Sequence, residues 1–164
     1  MKITTIGCGN AFSKKSFNQS FLLEETFEGQ TRKMLIDYGR QTPEAIEAAG
    51  IKPSEIDDVY ISHSHSDHCG GLEDLAFLRY DWVNRPRRWD ESAKKYAPRL
   101  IANSQLMKDL WSKTLCGGLE YMEGFVATME TFFQPFPVEP NKPFEWQGWR
   151  VDLIQQIHIM SGSV

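Results

Sequence analysis

Three of the four histidines in this 164-residue chain fall within six positions, in the run His63-Ser64-His65-Ser66-Asp67-His68. Before it stands Asp58-Val59-Tyr60-Ile61-Ser62, whose β-branched and aromatic residues predict a strand. After it stands Gly70-Gly71, which lets the backbone turn sharply into a helical pattern carried by Leu72, Leu75, Ala76 and Leu78. The cluster therefore sits on a strand–loop–helix junction, and few folds place so much ligating chemistry there. In an extended loop alternate residues face the same way. His63 and His65 then address one point, and Asp67 and His68, where the chain turns, address a second. Imidazole and carboxylate are usual zinc ligands in hydrolytic sites. One or two divalent ions are expected, zinc first and manganese as the alternative. His158, at the end of the last predicted strand, is the candidate third ligand of the first position.

The remaining sequence supplies a mixed scaffold. Ile3–Ile6 predicts a first strand ending in the turn Gly7-Cys8-Gly9-Asn10. Gln19–Glu24 and Arg32–Asp37 predict a hairpin about Glu28-Gly29-Gln30. Thr42-Pro43-Glu44 opens a helix, with Thr42 as the expected N-cap and Gly50 as the stop. A helix is expected over Leu72–Asp81, an exposed loop or insertion over 82–97, and a strand at Arg99–Ala102. A further helix is expected over Ser104–Leu115, stopped by Gly117-Gly118. Phe132–Pro143, with its four prolines, reads as an extended connector, and a last hairpin surrounds Gln147-Gly148. Strands interleaved with helices give an α/β or α+β class.

Composition narrows the function. With 41% hydrophobic and 24% charged residues the chain is expected to form a single domain with its own core. A net charge of −4 argues against a general nucleic-acid coat. No apolar run reaches the roughly 18 residues of a membrane span, and the N-terminus lacks a signal-peptide pattern, so a cytosolic protein is expected. Cys8, Cys69 and Cys116 are too few and too scattered for a disulfide framework. Cys69 is read as a small buried thiol, with a metal neighbour as the alternative. The stretch from Arg79 to Arg99 holds seven Lys or Arg against three acids. It reads as a solvated loop, or as a phosphate contact at the mouth of the site.

The run His-x-His-x-Asp-His after a strand resembles the signature of the metallo-β-lactamase superfamily. Gly7-Cys8-Gly9-Asn10-Ala11, Asn18-Gln19-Ser20 and Leu35-Ile36-Asp37-Tyr38-Gly39 resemble the branch that contains the transfer-RNA 3′-processing endonuclease RNase Z. The resemblance implies an αββα sandwich with metals at one edge of the sheets. It implies His63, His65 and His158 on the first metal, Asp67 and His68 on the second, and Asp37 supporting the His loop. It also implies a bridging Asp and a final His beyond the position of His158. Only six residues follow His158, so the chain is expected to be an incomplete copy lacking the C-terminal part.

The same resemblance implies hydrolysis of a phosphodiester by a metal-bound hydroxide, with Asp67 orienting the water or taking its proton. Leu110-Trp111-Ser112-Lys113 and Gly117-Gly118-Leu119-Glu120 look like the phage and bacterial anti-Pycsar phosphodiesterases. That group is homodimeric and destroys cyclic nucleotide signals, chiefly cyclic CMP and cyclic UMP. A small cyclic nucleotide is thus the expected substrate. An RNase Z-like nuclease acting on transfer RNA is the alternative, and a catalytically incomplete metal- or ligand-binding protein is the third reading.

Overall fold

The computed structural model describes residues 1–84 and 97–154 and, for 81–84, the backbone alone. The fold is built on a six-stranded sheet. Its strands are β1 (Lys2–Gly7), β2 (Ser20–Phe27), β3 (Gln30–Ile36), β4 (Asp58–Tyr60), β5 (Arg99–Asn103) and, later in the chain, β8 (Gln134–Val138). Their spatial order is β1-β2-β3-β4-β5-β8. β1, β2 and β3 pair antiparallel, and β3, β4, β5 and β8 run parallel. The β2–β3 hairpin turns on Glu28 and Gly29, both at positive φ, between the paired residues Phe27 and Gln30. Positive φ at both central residues is the requirement of the twisted two-residue hairpin turn.

Helices cross between the parallel strands. They are α1 (Thr42–Ala48), the single turn α2 (Ser66–Cys69) and α3 (Leu72–Asn84). Period-2 alternation sorts the strand side chains onto two faces. Leu35, Val59 and Leu100 point into the larger core, with Ile46, Leu72 and Leu75 from the helices. Each is at most 1% exposed, and burying one such side chain stabilises by about 1.5–3 kcal/mol. Met34 and Ile101 point to the other face. There they meet Trp146 from the hairpin of β9 (Phe144–Trp146) and β10 (Trp149–Val151).

On that second face Asp58 is fully buried. It accepts hydrogen bonds from Arg32 Nη2 and Arg99 Nε on Oδ1, at 2.8 and 2.7 Å. Oδ2 accepts from Arg32 Nε and Trp146 Nε1, at 3.0 and 2.8 Å. Burial alone would raise its pKa. The hydrogen bonds of Arg32, Trp146 and Arg99 outweigh burial and hold the carboxyl below its ordinary range. This carboxylate ties β3, β4, β5 and the hairpin together.

Four expectations change. Gln41, not Thr42, caps α1, and Thr42 is a buried residue of the first turn. The other end is as expected: Gly50 at φ 71° lets Ile51 N–H reach Ile46 O and Gly50 N–H reach Glu47 O, which closes the last turn. The helical stretch from Ser104 does not stop at Gly117-Gly118. It runs from α4 (Ser104–Asp109) through a π-helical segment (Leu110–Leu115) into α5 (Cys116–Leu119), because Leu119 is drawn fully into the core. The expected connector contains β8, after the single turn α6 (Met129–Phe132) and the short hairpin of β6 (Tyr121–Met122) and β7 (Phe125–Val126). Finally, α3 continues to Asn84, into the expected loop; residues 85–96 lie outside the described residues.

Candidate metal centre

Strands β3 and β4 are parallel neighbours, so their C-terminal ends release two loops side by side. Crevices beyond such strand ends are where open α/β sheets bind ligands. From β3 comes Asp37-Tyr38-Gly39-Arg40; from β4 comes Ile61 to Cys69. The two are laced together by backbone bonds: Asp37 N–H to Tyr60 O at 2.8 Å, Tyr38 N–H to His68 O at 2.7 Å, and Arg40 N–H to Ser66 O at 3.1 Å. Gly39 makes this approach possible. A Cβ there would lie 1.9 Å from the carbonyl oxygen of Asp67.

Asp37 organises the loop. It is 5% exposed and its backbone is left-handed, with φ 63°, a conformation Asp tolerates better than most residues. Its carboxylate accepts from Ser62 N–H on Oδ1 at 2.8 Å, and on Oδ2 from Ser62 Oγ at 2.9 Å and His68 Nδ1 at 2.6 Å. Ser62 Oγ also meets His63 Nδ1 at 3.0 Å. A hydroxyl has one proton. Ser62 spends it on Asp37, so His63 Nδ1 must be the donor in its own contact. One carboxylate thereby assigns the proton to Nδ1 on both His63 and His68, and leaves Nε2 of each unprotonated.

The rings are gathered closely. The His63 centroid lies 4.6 Å from that of His65 and 4.1 Å from that of His68. Asp67 Oδ2 stands 3.4 Å from His68 Nε2. Burial would lower the His68 pKa, but the hydrogen bond and charge of Asp37, with the charge of Asp67, raise it instead. Cys69 is buried, its thiol facing Ser64 O at 3.3 Å, and burial pushes it up to about 11, with the charges of Asp37 and Asp67 adding. It packs as a neutral thiol.

Among the described residues no three His, Cys, Asp or Glu side chains converge as a preformed metal cage. In kind, the donors do fit zinc: three imidazoles and a carboxylate on one short loop, with a carboxylate behind the histidines fixing their tautomers. His158 lies outside the described residues. Of the basic stretch, Arg79 is buried and donates to Ser54 O at 2.7 Å, and Arg99 is held by Asp58. Both ends are thus structural, and Arg85 to Lys95 lie outside the described residues. Sequence reasoning missed Ser62 and Gly39 as parts of the loop. Ser62 has a readable signal: a hydroxyl directly before the first histidine, two residues from the strand.

A family model described as "Anti-Pycsar protein Apyc1" matches residues 1–164. The chain belongs to this family. Among the curated Apyc1 proteins, one from Paenibacillus harenae is 38% identical over 97% of this chain and 59% of its own length. One from Bacillus phage 010DV004 is 38% identical over 74% of this chain and 42% of its own. The chain therefore spans about half the length of the Apyc1 relatives it matches. Among solved structures, the metallo-β-lactamase fold protein YhfI from Bacillus subtilis superposes with a TM-score of 0.66 at 18% identity, covering 96% of this chain and 55% of YhfI. A diphosphatase of the PhnP family gives 0.53 at 20% identity, over 90% of this chain and 54% of its own. The fold is the metallo-β-lactamase fold. Among the described residues no helix is long and apolar enough to cross a membrane.

Proposed function

We propose that this chain carries the metal-binding loop of a zinc-dependent phosphodiesterase that hydrolyses cyclic nucleotides and so counters cyclic-nucleotide signalling against phage. The observation behind this reading is the Apyc1 family match along residues 1–164. The donor chemistry of the His loop supports it. His63 and His65, joined by His158, would hold one zinc ion, and Asp67 with His68 a second; manganese is the alternative ion. Zinc supplies Lewis acidity to phosphoryl oxygens.

The chain's own residues do the rest. Asp37 and Ser62 hold the His63 and His68 rings in one tautomer. Asp67, half-sheltered beside His68, orients the attacking water and accepts its proton. The net charge of −4 suits a small nucleotide better than a long RNA. Homodimer formation and a cytosolic location belong to the same proposal.

The test is turnover of a panel of cyclic mononucleotides and a precursor transfer RNA, with zinc or manganese added, by the wild type and by Asp67→Ala and His65→Ala. Cyclic nucleotide turnover that falls at least about 100-fold in both variants supports the proposal. Full activity in either variant, or cleavage of the RNA alone, overturns it. Cyclic nucleotide binding without turnover favours a ligand-sequestering protein.

A further inference from the structure

Between β1 and β2 the chain closes into a loop that lies against the His loop. Its neck is shut by Gly9 N–H to Phe17 O at 2.7 Å and Gln19 N–H to Gly9 O at 2.9 Å. A Cβ on Gly9 would stand 2.6 Å from Ser16 O, so the two sides touch. The tip is pinned from within. Asn10 accepts Phe12 N–H on Oδ1 at 3.0 Å and Ser13 N–H on its carbonyl at 3.1 Å, and Ser13 Oγ accepts Ser16 N–H at 3.2 Å. Two anchors then tie this loop to the histidines. Arg40, whose backbone N–H bonds Ser66 O, donates from Nη2 to Ala11 O. The buried Asn18 accepts Gln41 N–H at 3.2 Å, and its Cβ lies 3.1 Å from where a Cβ on Gly39 would stand, against Asp67 O. Ala11 is thus one arginine side chain away from Ser66, and Phe12 follows it.

Phe12 is 85% exposed, more than any other large hydrophobic side chain among the described residues. So exposed a ring adds little to the fold. Lys14 and Lys15, exposed beside it, are the only charged residues from Ile3 to Leu23. In a chain of net charge −4 this loop offers anions a local positive field. A scattered exposed phenylalanine is ordinary. One held on a pinned loop, with two cations beside it and a candidate metal centre adjoining, joins an aromatic face for a base to cations for a phosphate. We propose that Phe12 is the base-stacking residue of the nucleotide site, and that Lys14 and Lys15 draw the anionic substrate towards it. The assignment rests on the cyclic nucleotide reaction proposed for the His loop. The base lies on the Phe12 ring while the phosphodiester lies at the histidines. The base is remote from the reacting bond, so its contact is equal in ground and transition states and sets KM rather than kcat. Every base has a face to stack, so the site accepts several bases.

The test is steady-state kinetics with zinc on cyclic AMP, cyclic UMP and the cyclic phosphate of methyl riboside, which has no base. Phe12→Ala is expected to raise KM for both nucleotides about tenfold, with kcat within about twofold of wild type. Phe12→Trp restores KM, and the base-free ester shows the same KM in all three proteins. The double variant Lys14→Gln, Lys15→Gln lowers kcat/KM several-fold at low salt, and the difference closes as salt is added. A wild type that turns over none of the three substrates overturns the reaction and this assignment with it. Nucleotide turnover with an unchanged KM in Phe12→Ala, an equal loss on the base-free ester, or a loss of kcat alone overturns the assignment and leaves the reaction standing. So does a changed sedimentation coefficient of Phe12→Ala with KM unaltered, which makes the ring a contact between copies of the chain.

Discussion

Asp37→Asn is the sharpest perturbation of the candidate centre, because it exchanges one oxygen for an NH2 and changes nothing else in size. Asn tolerates the left-handed backbone of this position. Its Oδ1 keeps the bond from Ser62 N–H; the opposite amide orientation would set two donors against each other. The NH2 then faces Ser62 Oγ and His68 Nδ1, where the carboxylate accepted at 2.9 and 2.6 Å. His68 Nδ1 must become an acceptor, so its proton moves to Nε2. The Ser62 hydroxyl must accept from the amide, so its proton turns towards His63 Nδ1, and that ring changes tautomer as well. Two proposed zinc ligands lose their ligating lone pair through one substitution. Changing a carboxylate behind a metal-bound histidine costs about 10–100-fold in metal affinity, and two reversed rings put the effect near 100-fold, or about 2.7 kcal/mol. Zinc competition against a chelator measures it, with urea unfolding as the control for the fold. An affinity within about twofold of wild type refutes the tautomer argument.

The other predictions concern the frame. Asp58→Ala leaves the buried indole N–H of Trp146 and two guanidinium groups without their acceptor, and is expected to cost about 3–5 kcal/mol in urea unfolding. The folded pKa of Asp58 lies below its ordinary 3.8. The stability it contributes is therefore present above pH 3.8 and is lost as pH falls through the folded value, so Asp58→Asn flattens the acid limb of a stability–pH curve below about pH 4. Gly39→Ala drives a methyl into the Asp67 carbonyl; a loss of about 1–3 kcal/mol and displacement of the His loop are expected, read by thermal melting and histidine NMR shifts. Gly117→Ala lies inside α5, where a Cβ meets nothing within 4 Å, and is expected to stabilise by about 0.5–1 kcal/mol in urea unfolding; a destabilised variant would refute the helical reading of this position.

Local patterns made much of the frame legible, and the errors have physical causes. The Glu28-Gly29 and Gln147-Gly148 turns and the α1 stop at Gly50 are backbone-sign requirements, which sequence states directly. Strand β8 was hidden by Pro135 and Pro137. In a parallel edge strand alternate N–H groups point to opposite sides. Two prolines two residues apart remove donors from one side only, and Gln134, Phe136 and Val138 keep theirs for β5; Gln134 N–H reaches Pro98 O at 3.0 Å. The prolines thus close the outer edge of the sheet against further pairing. At Gly117-Gly118 tertiary burial of Leu119 overrode a local signal. The four donors around Asp58 come from positions 32, 99 and 146, and no local pattern joins residues so far apart.

Asp37 and Asp58 lie at the ends of neighbouring strands, and the contrast between them bears on function. Asp58 is met by two arginines and an indole N–H, donors that stay protonated at all physiological pH values. That choice serves structure alone. Asp37 is met by a backbone amide, a hydroxyl and an imidazole. If Asp37 only pinned a loop, an arginine would do so more firmly, through two parallel bonds. An imidazole offers Asp37 a single donor and turns its second nitrogen towards Asp67. The Ser62 relay likewise anchors His63 through its Nδ1. Two rings anchored through one nitrogen each make poor structural struts, and such anchoring is what orients an imidazole for a metal. That is the physical argument for reading the loop as a metal centre, and Asp37→Asn tests it at the atom where the two purposes divide.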